Sequence, residues 1–183
     1  MAVTCAKCGR QYDVTLFQFG RTISCACGAR VGLEHRLNLP KNAEIRFFAD
    51  VNVASVVRWL RAVGIDTAWE DAIPDAVLIR RAIEEKRFVL TLDKRILTEF
   101  RADHVMLLST DEPLAQFTEV VRHFNLPKPA EFFTRCLVCN APLRVRESHE
   151  KFRFCAACSK IYWEGSHARR MRAAIESVFA GRA

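Results

Sequence analysis

The stretch IRFFADVNVASVVRWLRAVGIDT (residues 45–67) decides the fold of this 183-residue chain, because a short apolar run leads directly into helical spacing. Residues 45–49 are apolar apart from Arg46 and predict a buried strand. From Val53 to Gly64, apolar residues recur every three or four positions, which predicts an amphipathic helix that ends at the glycine. A strand joined to a helix in this way is typical of an α/β domain.

The same alternation continues along the chain. It predicts strands at residues 67–69, 88–92 and 104–108 and helices at residues 75–86, 94–100, 113–124 and 166–180. Short strands that alternate with helices are typical of a parallel sheet covered on both faces. The sequence therefore predicts an α/β fold with a parallel-sheet core.

Two proline-containing polar stretches indicate linkers on either side of this core. They are NLPKNAE (38–44) and PKPAEFF (127–133). We therefore predict an N-terminal module at 1–42, a core at 43–130 and a C-terminal module at 131–183.

Eight cysteines occur as four close pairs, two pairs toward each end of the chain. The pairs are Cys5 with Cys8, Cys25 with Cys27, Cys136 with Cys139, and Cys155 with Cys158. Two tight turns that each present two thiolates complete a tetrahedral zinc site. The spacing predicts two structural zinc ions in small zinc-ribbon modules, with iron–sulfur ligation as the minor alternative. Because all four ligands of each site are cysteines, no position is left for a reacting water.

The cysteine pattern also bears on the compartment. A secreted, disulfide-stapled domain is usually shorter and does not segregate its cysteines to the two ends. The N-terminal MAVTCAKCGR has no apolar core like that of a signal peptide, and no apolar window is long enough to cross a membrane. We expect a cytoplasmic protein with no membrane partner.

Three carboxylates stand at or near the ends of predicted strands. Asp50 directly follows the first strand, and Asp93 directly follows the strand at 88–92. Asp75 opens a helix after a short strand and a turn. In open α/β sheets, active groups collect beyond the carboxyl ends of the strands. Three carboxylates at one edge repel one another unless Mg²⁺ or Mn²⁺ binds there, and such an ion could activate a water against a phosphodiester.

Some of these acids also have a simpler interpretation as helix caps. Asp75 follows a proline and could be an N-cap, and Asp93 could cap the helix that follows it. Asp50 has no strong capping context. Asp111 and Glu112, after the last strand, are better explained as caps than as ligands.

The charge is unevenly distributed, although the net charge is +7. Residues 1–42 carry six Lys/Arg against two acids, residues 43–134 carry twelve against fifteen, and residues 135–183 carry ten against four. An acidic centre between basic ends suits a nucleic acid held by the flanks, and solvated surface charge is the alternative. Lys94 and Arg95, beside the acidic edge, are candidate phosphate contacts, and an exposed, solvated face is again the alternative.

These residues resemble the PIN-like ribonuclease domain of the Mut-seven C-terminal family. The matching stretches are RFFADVNVASVVRWLRAVGIDT (46–67), PDAVLIRRAIEEKRFVLTLDKRIL (74–97), FTRCLVCNAPL (133–143) and FCAACSKIYWEGSHARRM (154–171). The resemblance covers residues 45 to about 175, and the cysteine module with IYWEGSHARRM is its most specific part. It implies a PIN-like fold, a C-terminal zinc ribbon packed on the nuclease domain, and a metal-dependent phosphodiesterase site for RNA. It assigns the metal-binding acids to Asp50, Asp75 and Asp93.

The sequence departs from the family pattern at two points. Asn52 stands where family members often have a basic or hydrophobic residue, and a fourth acid common in PIN domains has no clear match. The N-terminal cysteine module is not part of the core pattern.

The segment IYWEGSHARRM (161–171) combines aromatic and basic residues. Arg169, Arg170 and, just beyond it, Arg172 are candidate RNA contacts. Tyr162 and Trp163 could stack on bases or pack between the ribbon and the nuclease core, and we expect packing for Trp163.

The sequence thus predicts a metal-dependent RNA endonuclease whose zinc modules dock RNA or a ribonucleoprotein, with tRNA or ribosomal RNA as candidate partners. The alternative is a PIN-like protein that binds RNA or the ribosome and is catalytically weak or inactive.

Overall fold

A computed structural model of the chain describes residues 2–32, 44–100, 102–146 and 149–181. The linker predicted at 38–44 lies outside these residues except for Glu44. No helix in these four stretches is long and apolar enough to span a bilayer.

The elements follow the predicted alternation. The strands are β1 (Ala2–Thr4), β2 (Gln11–Asp13), β3 (Ile23–Ser24), β4 (Arg30–Val31), β5 (Phe47–Ala49), β6 (Thr67–Trp69), β7 (Phe88–Thr91), β8 (Val105–Leu107), β9 (Arg144–Arg146), β10 (His149–Phe154) and β11 (Ile161–Trp163). The helices are α1 (Val57–Ala62), α2 (Asp75–Glu84), α3 (Lys94–Glu99), α4 (Pro113–His123) and α5 (Ser166–Ala180), with 3₁₀ helices at Val14–Gly20 and Val51–Val56.

The central sheet has four strands in the order β6-β5-β7-β8. Strand β5 runs parallel to β7, with Phe48 paired to Val89, and β7 runs parallel to β8, with Leu90 paired to Met106. All three residues of β5 are fully buried, as expected for a strand covered on both faces. The predicted α/β class with a parallel sheet is confirmed.

The helix predicted from Val53 to Gly64 is shorter than expected. A 3₁₀ helix at Val51–Val56 precedes α1, and Val53 has a non-helical backbone (φ −123°, ψ 21°). The Asp50 carboxylate accepts a hydrogen bond from the N–H of Val51 at 2.7 Å. The regular α-helix therefore begins only at Val57, after the kink at Val53.

The chain divides into two compact units. The first comprises Met1–Asn52 and Glu70–Leu107, and contains β1 to β5, β7, β8, α2 and α3. Within it, the N-terminal module has its own small core around Phe17, which is fully buried. The Thr22 hydroxyl donates to the carbonyl of Thr98 in α3 at 2.8 Å, which fastens this module to the helix.

The second unit comprises Val53–Trp69 and Leu108–Ala183. It contains α1, β6, α4 and α5, together with an antiparallel sheet in the order β11-β10-β9. Its aromatic core stacks Trp59 on Phe117 with ring centroids 6.2 Å apart, and Phe179 of α5 meets Phe117 edge-on at 6.3 Å. The three-part division drawn from the linkers stays a prediction.

Replacing Leu90 by Ala should destabilise the zinc-loaded protein by about 2–5 kcal/mol, because this side chain is fully buried at the centre of the sheet. Urea unfolding measures the change. The matched control is Leu97→Ala on α3, whose side chain is 42% exposed and should cost no more than about 1 kcal/mol. Equal losses in the two variants would contradict the assignment of β7 to the core.

Candidate functional site

Each of the four cysteine pairs lies in its own tight backbone turn. In each pair, the residue after the second cysteine has a left-handed backbone and donates its N–H to the carbonyl of the first cysteine. These residues are Gly9 (φ 73°, bond of 2.9 Å), Gly28 (φ 81°, 2.8 Å), Asn140 (φ 69°, 3.0 Å) and Ser159 (φ 57°, 2.9 Å). The turn points both thiols of a pair the same way, which is the arrangement that a metal ion requires.

The N-terminal pairs form one cluster of four thiols, all within 4.8 Å of one another. The sulfur of Cys5 lies 3.7 Å from that of Cys27, and the sulfur of Cys8 lies 3.4 Å from that of Cys25. Four thiolates about 2.3 Å from a zinc ion form a tetrahedron with edges of about 3.8 Å. The one-residue gap in Cys25-x-Cys27 is therefore compatible with the same kind of site.

The C-terminal pairs form the second such cluster. Its sulfur–sulfur distances are 3.5 Å between Cys136 and Cys158 and 3.3 Å between Cys139 and Cys155. All eight cysteines are free thiols, and both clusters could hold a zinc ion of the predicted structural type.

Electrostatics within the C-terminal cluster favour a bound cation. Burial raises the pKa of the Cys136 thiol, but hydrogen bonds, first from the backbone of Cys139 and then from the Tyr162 hydroxyl, lower it to about 6. The pKa of the neighbouring Cys139 thiol rises to about 12 through burial and the thiols beside it. Four thiols this close cannot all ionise unless a cation compensates their charge.

The Arg61 side chain anchors the C-terminal zinc ribbon to helix α1. It is 5% exposed and donates to the carbonyls of Leu137 and Val138, inside the first cysteine turn, at 3.0 and 2.7 Å. It also donates two hydrogen bonds to the carbonyl of Thr67 at 2.9 and 2.8 Å. Burial lowers the pKa of this guanidinium, and the negative charge of Cys136 opposes that shift.

Further contacts fix the same junction. The Asn140 side chain accepts from the N–H of Thr67 at 3.1 Å and donates to Asp66 at 2.7 Å. Arg135 donates to the carbonyl of Gly64 at 3.0 Å. Gly64 has a left-handed backbone (φ 84°), and a Cβ there would lie 2.7 Å from the hydroxyl of Thr134. The glycine predicted to end the helix is therefore also needed for the close approach of the ribbon.

The acidic site is built around Asp50, which is 4% exposed at the end of β5. One carboxylate oxygen accepts from the hydroxyl of Thr91 at 2.7 Å and from the side-chain amide of Asn52 at 2.9 Å. The Asn52 carbonyl oxygen in turn accepts from the N–H of Leu92 at 3.1 Å. Thr91 and Asn52 were not singled out as site residues by the sequence. The sequence signal for Thr91 is a polar residue at the last, buried position of a strand. The signal for Asn52 is a polar residue two places after a strand-end aspartate.

Asp93 follows β7, as predicted, and is the N-cap of α3. Its carboxylate accepts the backbone N–H of Arg95 at 2.8 Å and pairs with the guanidinium of the same residue at 2.6 Å. Both bonds lower the pKa of Asp93, and the bond from the Arg95 side chain has the larger effect. The cap interpretation is correct, but the Arg95 side chain is 73% exposed and could leave the carboxylate at little cost.

Asp75 is the first residue of α2 but makes no capping hydrogen bond, so the N-cap interpretation is wrong and Pro74 holds that position. Burial raises the pKa of Asp75, and the charges of Asp50 and Asp93 raise it further. The charge of Glu99, at the end of α3, acts in the same direction. The charge of Arg95 acts in the opposite direction, so Asp75 lies within reach of the charges of Asp50, Asp93, Arg95 and Glu99.

The carboxylates are near one another but not closely clustered. Among the described residues, the two groups of potential ligand atoms within 4.8 Å of one another are the cysteine clusters. Oxygen donors are the ligands that Mg²⁺ and Mn²⁺ prefer, so Asp50, Asp75 and Asp93 fit such an ion by chemistry.

The remaining predicted residues have diverse settings. Glu112 caps α4 by accepting from Leu114 and Ala115, as predicted. Trp163 is 64% exposed, so the expectation that it packs inside the protein is wrong, because β11 is an edge strand and this position faces solvent. Lys94 is exposed beside the acidic site.

The three arginines of α5 also differ. Arg169 donates to the carbonyl of Glu164 at 3.3 Å, and Arg172 pairs with the Glu164 carboxylate at 3.1 Å. Arg172 also lies over the rings of Phe132 and Phe133, whereas Arg170 is exposed.

The described residues thus combine a parallel α/β core with two four-cysteine clusters. The family model described as the Mut7-C RNAse domain matches residues 45–150 and 142–175. The chain therefore belongs to the Mut7-C RNAse domain family, which supports a ribonuclease-like function. No curated protein and no solved structure matched the chain.

Replacing Cys136 by Ser should reduce the zinc content from two ions per chain to one, since one of the two clusters loses a ligand. Elemental analysis of the purified protein gives the stoichiometry. Val138→Ser in the same turn is the control, because that side chain is 52% exposed and not a ligand. A full complement of zinc in Cys136→Ser would contradict the site.

Replacing Asp75 by Asn should raise the melting temperature at neutral pH in buffer without divalent cations. The raised pKa of Asp75 means that folding opposes its ionisation, so the wild type loses stability as the pH rises through that pKa. The gain should disappear below the ordinary Asp pKa of about 3.9. Thermal unfolding across pH measures it, with the exposed Asp71→Asn as control. A loss of stability at neutral pH would show that Asp75 is not under like-charge repulsion.

Proposed function

We propose that this protein is a metal-dependent RNA endonuclease with its active site at Asp50, Asp75 and Asp93. The observation that carries the proposal is that Asp50, buried at the end of β5, and Asp93, just after β7, stand at the carboxyl ends of adjacent parallel strands, with Asp75 close enough for their charges to raise its pKa. A fold that maintains such repulsion without a structural gain is typical of a functional site. Membership of the Mut7-C RNAse domain family supplies the reaction class.

The chain would divide the work among these acids by their surroundings. Asp50 is held by Thr91 and Asn52 and is therefore the fixed ligand. Asp75 and Asp93 are less buried and would adjust to the ion. A bound Mg²⁺ or Mn²⁺ would supply an activated water and charge stabilisation for phosphodiester hydrolysis.

Arg95 has two alternative partners in this proposal. Without an ion, its guanidinium neutralises Asp93. If a cation bound that carboxylate, the exposed guanidinium would be free to bind a phosphate of the substrate, together with Lys94.

Glu99 weakens one argument for an inactive relative. The absence of a recognisable fourth acid favoured a protein that only binds RNA. Glu99 lies close enough for its charge to act on Asp75, so it is a candidate for that fourth acid. The observation that still favours the alternative is the pairing of Asp93 with Arg95, which would also persist in a site that never binds metal.

The Asp93→Asn variant should cleave RNA at least about 100-fold more slowly than the wild type, because it loses a metal ligand while asparagine still caps α3. The assay follows labelled total RNA with the zinc-loaded protein and Mn²⁺. Asp50→Asn should behave alike and tests the buried ligand.

The matched control is Asp111→Asn, an exposed acid outside the gathered set. It should cleave like the wild type. Mn²⁺-dependent cleavage that survives both Asp93→Asn and Asp50→Asn would sink the proposed active site. RNA binding without any cleavage by the wild type would favour the binding protein.

A further inference from the structure

The second unit contains an open groove of about 1120 Å³ whose lining combines aromatic and basic side chains. Its lining comes from Ala54 and Ser55, α1, β6, the start of α4, the C-terminal zinc ribbon and the start of α5. Because the lining is spread over several elements of this unit, the groove suits an extended ligand.

Three aromatic residues line the groove: Trp59, Trp69 and Tyr162. Trp69 is 40% exposed and so offers a ring to a ligand. Trp59 is backed by Phe117. The hydroxyl of Tyr162 contacts the sulfur of Cys136 at 3.0 Å, so the zinc site fixes its ring. Rings held in place lose little entropy when a base stacks on them.

The exposed charge in the groove is basic. Arg58, Lys160, His167 and Arg170 line it and are exposed, and no acidic residue is among the described residues of the lining. Within the described part of the chain, no carboxylate forms an ion pair with Arg58, Lys160 or Arg170. The groove therefore suits a ligand that carries several negative charges.

The neighbouring arginines of α5 differ in this respect. Arg169 and Arg172 bond to Glu164 and do not line the groove. Arg170 lines it, with His167 and Met171 on the same helical face. Of the three arginines predicted as RNA contacts, the groove therefore takes only Arg170, and Arg169 and Arg172 would not contact RNA bound there.

We propose that this groove binds a single-stranded segment of RNA, with unpaired bases on Trp69 and Tyr162 and phosphates on Arg58, Lys160 and Arg170. The inference deepens the proposed function and rests on it for the choice of RNA as the ligand. Aromatic faces between cations suit unpaired bases, because paired bases in a duplex offer no free face. An acidic peptide would satisfy the charges but leave the aromatic rings without a partner.

The test is binding of a short fluorescein-labelled single-stranded RNA, followed by anisotropy in buffer without added Mg²⁺ or Mn²⁺, so that binding is separated from cleavage. Trp69→Ala should weaken binding about 5-fold or more through the loss of one stacked base. The control is Trp163→Ala, because this tryptophan is 64% exposed on the same unit but does not line the groove. It should bind as the wild type does.

The charge arm compares two adjacent residues. Arg170→Ala should weaken binding and reduce the salt slope by about one, whereas Arg169→Ala should change neither. Both are exposed on α5, so zinc content and melting temperature should match the wild type. Equal effects within the tryptophan pair and within the arginine pair, or equal affinity for a duplex of the same length, would overturn the groove assignment.

Cleavage assays on the same variants keep this inference separate from the proposed function. If the wild type cleaves RNA and the groove variants bind it normally, the groove is wrong and the nuclease stands. If the groove variants lose single-stranded RNA binding and the wild type does not cleave, the groove stands and the nuclease is wrong.

Discussion

The buried guanidinium of Arg61 is the contact on which the C-terminal part of the chain depends. It donates hydrogen bonds to the carbonyls of Leu137, Val138 and Thr67, so one side chain of helix α1 joins the first cysteine turn to strand β6. Arginine suits this position because its planar fork can satisfy several carbonyls at once and its charge is compensated by nearby thiolates. The cysteine turn and its support are therefore mutually dependent: the carbonyls of the turn satisfy the buried guanidinium, and the guanidinium holds the turn against α1 and β6.

The acidic site differs from the Arg61 junction, because there negative charges lie near one another. Burial is accepted at Asp50 because Thr91, Asn52 and the N–H of Val51 satisfy its oxygens. Asp75 receives no such compensation and has a raised pKa. The first unit thus contains one carboxylate with three hydrogen bonds and a second whose ionisation the fold opposes.

Sequence reasoning succeeded where one local pattern fixes the outcome. The apolar runs of β5 and β7 and the paired cysteines each specify their own geometry, and both were predicted correctly. It failed where a residue's environment is supplied by distant parts of the chain. Asp75 looked like a cap because it follows a proline, and Trp163 looked like core because it is large and apolar. The absence of a cap at Asp75 and the exposure of Trp163 depend on the packing around each residue, which the local sequence does not specify.

The sequence by itself determined the alternation of strands and helices, the two four-cysteine sets and the candidates Asp50, Asp75 and Asp93. These follow from spacing, because strand period, helix period and metal-turn length are local properties of the backbone. Only the tertiary structure brought the charge of Glu99 within reach of Asp75, paired Thr91 and Asn52 with Asp50, and separated Arg170 from Arg169 and Arg172. Those relations join residues far apart in the chain, or depend on the direction of one side chain, and no spacing rule encodes either.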